Sequence, residues 1–256
     1  MRLNRFLASA GAASRRGADK LIASGRVTVN GHPCTEFNFQ PEPSDHVKVD
    51  GKPVRQQTPT FLILHKPAGF VCTRRDPHVT DTIYDLLPAK FSSLFYVGRL
   101  DAPSEGLVLL TNDGEFAHRV THPRHQLTKE YVVTLDRPAT PDLPEALQNG
   151  VFLDGKWARA SEVRQIAPMK LRIILGQGVN RQIRRMLEHY GFRAKRLVRV
   201  RVGGIHLGDL PRGHWQELSQ READSAFTRL QAGGNAPDLR LVRPRTNVRR
   251  ALRKAQ

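Results

Sequence analysis

Cysteine is nearly absent: Cys34 and Cys72 are the only two in 256 residues. Two thiols cannot build a disulfide framework or a cysteine-rich zinc site, so both are expected to be reduced, ordinary side chains. Long apolar runs are missing too. Nothing approaches the roughly 20 apolar residues that a spanning helix needs, and MRLNRFLASAG at the start has too little apolar core for a signal peptide. These absences predict a cytoplasmic protein without membrane attachment. Acids are also scarce, with 24 Asp+Glu against 41 Lys+Arg, a formal charge of +17. A surface of that sign suits a polyanionic partner, against the plainer reading of a soluble protein that is merely basic.

The first segment, MRLNRFLASAGAASRRGADKLIASGRVTVNGHPC, repeats Leu3, Phe6, Leu7 and Ala10 at helical spacing before Gly11. Ser14 can cap a second helix whose apolar side is Leu21 and Ile22 and whose stop is Gly25. Val27 and Val29 then alternate into an Asn30-Gly31 hairpin turn. Arg2, Arg5, Arg15, Arg16, Lys20 and Arg26 can share one basic face of this helix-helix-hairpin unit. Such a face is either a solvated surface or a binding surface, and composition alone does not decide.

Residues 41–60 mix Pro, Gly and polar residues around a short strand at Val47 and Val49, which places a domain boundary near their end. FLILHK, SLFYVG, LVLLT, KEYVVTLD and MKLRIILG then read as strands. Helices fit at Thr82 to Leu87, Glu115 to Val120, Pro141 to Gln148 and Arg181 to Tyr190. Strands outnumber helices and several are hairpin-linked, so the fold class is α+β on a mostly antiparallel sheet. The expected domains are 1–58, 59–222 and a basic C-terminal tail, 223–256, suited to sequence-blind phosphate affinity.

Three chemical motifs fail on inspection. Gly150 to Lys156 has the spacing of a phosphate-binding loop, but Trp157 stands where a Ser or Thr must bind Mg²⁺, and a turn at Asp154-Gly155 explains the glycines. Ser104 lacks the first glycine of a nucleophile elbow, because Ala102 occupies it. His118, His122 and His125 have no carboxylate or cysteine to complete a usual metal set, so no metal is expected there.

Two stretches can carry chemistry. In GQGVNRQIRRMLEHYG, Asn180 is a candidate N-cap, and Ile183, Met186, Leu187 and Tyr190 make a core-facing stripe. Arg181, Arg185 and Glu188 fall opposite it, with Arg184 at its edge, where a long cation can reach a half-buried anion. Asp101 is a candidate for that anion. It stands in a turn stiffened by Pro103 and released by Gly106 into the apolar run Leu107 to Leu110, although an Asp that only closes a turn has the same signature. Tyr131 lies on an alternating strand with Val133 and Leu135, as a core aromatic would.

GRLDAPSEGLVLLTNDG resembles the catalytic motif of the pseudouridine synthases of the RsuA/RluB/RluF type. HKPAGFVCT at 65–73, LTKEYVV at 127–133 and GVNRQIRRML at 178–187 are similar to further blocks of that family, in order. The first unit resembles the S4 RNA-binding domain, with Gly17 where SRRE has its acid, and the likeness runs over about residues 1–218. The resemblance implies an enzyme that isomerises uridine in ribosomal RNA, 23S in preference to 16S, without a cofactor. Asp101 falls on the family's catalytic aspartate, Tyr131 on the tyrosine that stacks on the base, and Arg184 on the residue that pairs with the aspartate. Arg99 falls where a cation replaces the extruded base or holds phosphates. Lys129, Arg181 and Arg185, with Arg5, Arg15, Arg16, Lys20 and Arg26 of the first unit, are the expected RNA-binding residues. The implied partner is ribosomal RNA or a ribosomal subunit precursor, met by a monomer.

Such chemistry breaks N1–C1′, turns the uracil over and bonds C5 to C1′. It needs an ionised carboxylate in a fairly dry pocket, where a neighbouring guanidinium offsets the neutralising effect of burial. Asp101 can attack C1′, add to the base or remove the C2′ proton; the residues leave all three open. The competing class is an RNA-binding or ribosome-assembly factor without catalysis.

Overall fold

The computed structural model describes residues 1–74 and 81–228. Most of the expected basic tail, from 229 onward, therefore lies outside the described residues. The chain divides into two compact units, Met1–Thr60 with two short later segments, and the remainder.

The first unit comprises α1 (Leu3–Ser9), α2 (Arg15–Ala23), β1 (Val27–Val29), β2 (His32–Pro33), β3 (Val47–Val49) and β4 (Lys52–Pro53). Its strands lie in the order β2-β1-β3-β4. Leu3, Leu7, Ala18, Ile22, Val27, Val29 and Val47 form its core, so the helical stripe and the strand alternation converge on one interior. Ser14 caps α2 by accepting the Gly17 N–H at 3.1 Å. The first turn holds no acid, which leaves the helix dipole uncompensated by side-chain charge. Asn30 and Gly31 adopt φ of 51° and 89°, the paired left-handed conformation of a tight hairpin turn.

The second unit contains β5 (Phe61–Lys66), β6 (Phe95–Val97), β7 (Glu105–Thr111), α3 (Gly114–Thr121), β8 (Lys129–Leu135), α4 (Leu143–Asn149), β9 (Val151–Leu153), β10 (Lys156–Ala158), β11 (Glu162–Ala167), β12 (Lys170–Leu175), α5 (Gln182–His189), β13 (Ala194–Val202), β14 (Ile205–His206), β15 (Trp215–Leu218) and α6 (Gln220–Asp224). The main sheet runs β11-β12-β8-β13-β7-β5-β15, with β14 on β13 and β6 on β7. β8 pairs antiparallel with both β12 and β13, whereas β13 and β7 are parallel. No helix among the described residues is long and apolar enough to cross a membrane.

β13, at the centre of this sheet, was not among the expected strands. Its RLVRVRV carries Arg196, Arg199 and Arg201, a charged pattern that reads as solvated until the buried partners are known. Gly106 explains how β13 meets β7: its φ is +110°, and a Cβ there would stand 2.3 Å from the Arg199 carbonyl oxygen. Only glycine lets the two backbones approach this closely.

Two local expectations need correction. The helix proposed from Thr82 to Leu87 is a single 3₁₀ turn, Ile83–Leu86. Asp85 closes it by accepting from the Thr82 N–H at 2.7 Å and the Thr82 hydroxyl at 2.8 Å, and Pro88 follows at once. Asn180 is not the N-cap of α5. The helix begins at Gln182 after Arg181, which takes the left-handed conformation with φ 49°. No side chain caps the helix; the Gln182 side chain instead braces the preceding loop, accepting the Val179 N–H at 3.1 Å and donating to the Arg159 carbonyl at 3.1 Å. Ile183, Met186 and Leu187 join the core under β8 and β12, as the stripe predicts.

Candidate active site

The turn that carries Asp101 joins β6 to β7. The Ser104 N–H closes it on the Asp101 carbonyl at 3.0 Å, and the Leu100 N–H approaches Cys72 Sγ at 3.5 Å beneath it. Asp101 itself is half-buried and lines a cavity of about 400 Å³.

Three buried cations grip this turn, and each does so through main-chain oxygens. Lys66, at the end of β5, has no exposed surface. It donates to the carbonyls of Pro67 at 2.8 Å, Ala102 at 3.1 Å and Ser104 at 2.6 Å. Arg184 on α5 donates to the Pro103 carbonyl at 3.2 Å and the Ser104 hydroxyl at 3.4 Å, with its other amino group on the Ala194 carbonyl at 2.9 Å. Arg199 on β13 donates to the Leu107 carbonyl at 2.8 Å and the Arg99 carbonyl at 3.4 Å. The turn is thus held by strong charge-assisted bonds. No direct ion pair with Asp101 occurs among the described residues, so its carboxylate faces the cavity inside a positive field without being capped.

Burial shapes these charges. It lowers the Lys66 ammonium to about 8, against the favourable effects of Cys72, Glu105 and Asp101. At neutral pH the ammonium keeps its three donors, matching its three carbonyls. The Arg184 guanidinium is lowered from its ordinary value by burial and by Arg181, while Asp101 opposes the shift. Its Nε is buried without a hydrogen-bond partner among the described residues. Lys129, at the start of β8, is lowered to about 8 by burial and by Arg199.

Tyr131 is half-buried on β8, opposite Ile173 on one side and Arg199 on the other. Its ring lines the same cavity as Asp101, Arg184, Arg99, Arg181 and Lys129, with Leu175, Ile183, Leu197 and Val202 supplying apolar walls. A cavity of this size, apolar with a few convergent polar groups, fits a small planar ligand.

The remaining expected RNA contacts lie elsewhere. Arg185 turns away from the cavity and binds both oxygens of Asp154, at 2.5 and 2.8 Å. In the first unit Arg15, Arg16 and Lys20 are exposed. Arg26 is bound by Asp50 at 2.7 and 2.5 Å, and Arg5 donates to Glu115 at 3.3 Å. The histidine cluster does assemble, its ring centres 4.7 to 6.4 Å apart. No group of His, Cys, Asp and Glu among the described residues is arranged to hold a metal ion.

Sequence reasoning missed Lys66, Arg199 and Ser104 as parts of the site. Only Lys66 left a trace, separated by His65 alone from the apolar run FLIL that opens a strand. A charge in such a place is buried and must be paired. Two buried carboxylates were missed as well. Glu130 accepts from Arg172 at 2.6 Å and Arg201 at 2.8 Å, and Glu105 accepts from Arg196 at 3.0 Å and Arg212 at 2.9 Å.

Comparison with known proteins agrees with this geometry. Residues 60–189 match the family model of the RNA pseudouridylate synthases, and residues 1–47 match the S4 domain. An uncharacterised RNA pseudouridine synthase of Aquifex aeolicus is 38% identical over 89% of this chain and 94% of its own. The dual-specificity RNA pseudouridine synthase RluF of Escherichia coli is 36% identical over 90% of this chain and 80% of its own. A crystal structure of a pseudouridylate synthase superposes with a TM-score of 0.65 at 28% identity, over 88% of this chain and 99% of that one. The fold and the sequence blocks together define an RNA-modifying isomerase. The chain belongs to the RNA pseudouridylate synthases, with an S4 domain at its N-terminal end.

Proposed function

We propose that the protein converts a specific uridine in ribosomal RNA, 23S in preference to 16S, into pseudouridine, with Asp101 as the catalytic carboxylate. The observation that carries this reading is the convergence of Asp101, Tyr131 and Arg184 on one cavity with Lys129, Arg99 and Arg181. The target nucleotide leaves its stack to enter the cavity. Tyr131 packs against the uracil ring, and Arg184 and Lys66 hold the Asp101 turn so that its oxygen meets the sugar or the base. The N1–C1′ bond breaks, the uracil turns over, C5 bonds to C1′, C5 loses its proton and N1 gains one. Atoms and charge balance within the nucleotide, so no cofactor is required.

In this reading residues 1–58 are the RNA-docking domain, acting through Arg15, Arg16 and Lys20, and residues 59–222 are the catalytic domain. Arg181 stands at the cavity mouth and Arg99 enters the space left by the extruded base. Arg5, Arg26 and Arg185 contribute through the field of their surroundings, since each already has an acidic partner. The enzyme works as a cytoplasmic monomer.

The test is pseudouridine formation on ribosomal RNA by wild-type and Asp101→Asn protein, with mapping of total RNA from cells with and without the gene to name the position. The variant should bind RNA and form no pseudouridine. Wild-type activity in Asp101→Asn would remove Asp101 from the chemistry, and RNA binding without product in the wild type would favour a non-catalytic assembly factor.

A further inference from the structure

A second cavity, of about 710 Å³, opens beside the first. Thr121, Lys129, Gln177, Gly178, Val179 and Asn180 line both, so the two are chambers of one groove. The far wall of the second chamber is the segment His122–Leu127 on one side and the end of the β9–β10 hairpin on the other.

Its chemistry is that of a donor surface. Lys129, Lys156 and Arg159 bring cationic donors into the lining. Asp154 is the one carboxylate of this chamber among the described residues, and Arg185 engages both of its oxygens. His122 accepts the Arg124 N–H on Nδ1 at 3.2 Å, which leaves the hydrogen on Nε2 as a further donor. The chamber is also firmly built. Gln177 donates to the Trp157 carbonyl at 3.1 Å, and Gln182 donates to the Arg159 carbonyl at 3.1 Å. The Arg159 main chain is therefore tied to α5, the helix that carries Arg184.

We infer that the second chamber holds the nucleotide next to the target uridine in the same RNA strand, its base read by His122 and Arg159 and the connecting phosphate passing Lys129. The inference rests on the proposed uridine-isomerising role of the first chamber. A uridine flipped into that chamber carries its neighbour with it through one phosphodiester, and the second chamber is an adjoining space of nucleotide size that shares a wall with the first. Lys129 belongs to both linings, so its ammonium lies where that phosphodiester crosses. A donor-rich lining favours a base that presents acceptors, guanine or uracil, over one that presents an amino group at the same edge. This assigns to the catalytic domain itself a share of the sequence selectivity.

The experiment uses the full chain and a synthetic RNA spanning the uridine mapped in ribosomal RNA, with its natural flanks. An abasic residue replaces the nucleotide on the 5′ side in one RNA and on the 3′ side in another. Wild-type enzyme should lose about tenfold in kcat/KM on one of these RNAs, the scale of a single base interaction. The double variant His122→Ala, Arg159→Ala should be slower on intact RNA and lose less than about twofold on that same abasic RNA. Arg159→Lys should recover part of the penalty if charge contributes. Equal abasic penalties in wild type and double variant on both sides would overturn the inference while leaving the isomerase reading intact. If wild-type enzyme makes no pseudouridine in the intact RNA, the reading fails and the inference falls with it.

Discussion

The Lys66 ammonium, wholly buried, donates to the Ser104 carbonyl at 2.6 Å, across 38 residues of chain. With its bonds to Pro67 and Ala102 it ties the end of β5 to the Asp101 turn. An ammonium is the side-chain group that can supply three donors from one atom, which is why Lys and not Arg suits this position.

Removing that ammonium should slow the enzyme without preventing folding of the sheet. Lys66→Met is expected to lower kcat/KM by at least about tenfold, because the turn that aims Asp101 is no longer fixed in position. Wild-type activity should also fall as pH rises through about 8, where the buried ammonium gives up its proton. The folded amine releases its proton near 8 and the unfolded one near 10.5, so between these values this group makes the fold more stable, and the fall in activity is not unfolding. Lys129→Gln should keep this alkaline limb, whereas Lys66→Met should abolish it, both read from pH–rate profiles.

Glu130 is expected to contribute to the loss of stability in acid. Burial alone would raise its carboxyl, but the hydrogen bonds and charges of Arg172 and Arg201 outweigh burial and hold it below its ordinary 4.5. Its contribution is therefore complete above 4.5 and is lost as pH falls through the folded value. Glu130→Gln should cost about 3 kcal/mol at pH 7, chiefly from leaving Arg201 buried without its carboxylate. Denaturation curves of the two proteins should converge as pH drops below 4.5; a constant gap would show that the pair does not govern acid sensitivity.

Gly106 tests the parallel junction of β7 and β13. Gly106→Ala places a methyl group 2.3 Å from the Arg199 carbonyl oxygen at a φ of +110°. The strands must separate, at a cost of roughly 3 kcal/mol or more. Because Arg199 also holds the carbonyl of Arg99, activity should fall even where the variant remains folded. A urea titration with a parallel activity assay separates the two effects.

The basic face of the first unit has an electrostatic signature. Changing Arg15, Arg16 and Lys20 together to Ala should weaken RNA binding and flatten its salt dependence, by about 0.7 to 0.9 in the log-log slope for each phosphate that the variant no longer neutralises. An unchanged slope would assign RNA docking to another surface.

Much of this molecule is legible along the chain. The α1-α2-hairpin order, the stripe Ile183, Met186, Leu187 and the Asp154-Gly155 turn all follow from spacing and turn chemistry, which act within a few residues. The blocks around Asp101, Tyr131 and Arg184 are legible through their resemblance to a known family, since spacing alone leaves a turn-closing Asp and a core Tyr. β13 was hidden, because Arg199 and Arg201 read as solvent-facing until Leu107 and Glu130 are brought to them. The start of α5 was misplaced because Arg181 takes the left-handed conformation and the helix opens one residue later, at Gln182, whose side chain is tied to a carbonyl 23 residues away.

Sequence by itself determined most of the elements and a surface charge suited to a polyanion, because periodicity, turn chemistry and net charge are properties of neighbours or of sums, and its resemblance to a known family singled out Asp101 as the candidate carboxylate. Tertiary structure decided how that carboxylate is held. Lys66, Arg184 and Arg199 reach its turn across 38, 81 and 100 residues, and each binds main-chain oxygens that every residue possesses. A bond to a carbonyl leaves no mark in side-chain pattern, so only the folded sheet could reveal that the positive field is built around Asp101 and not upon it.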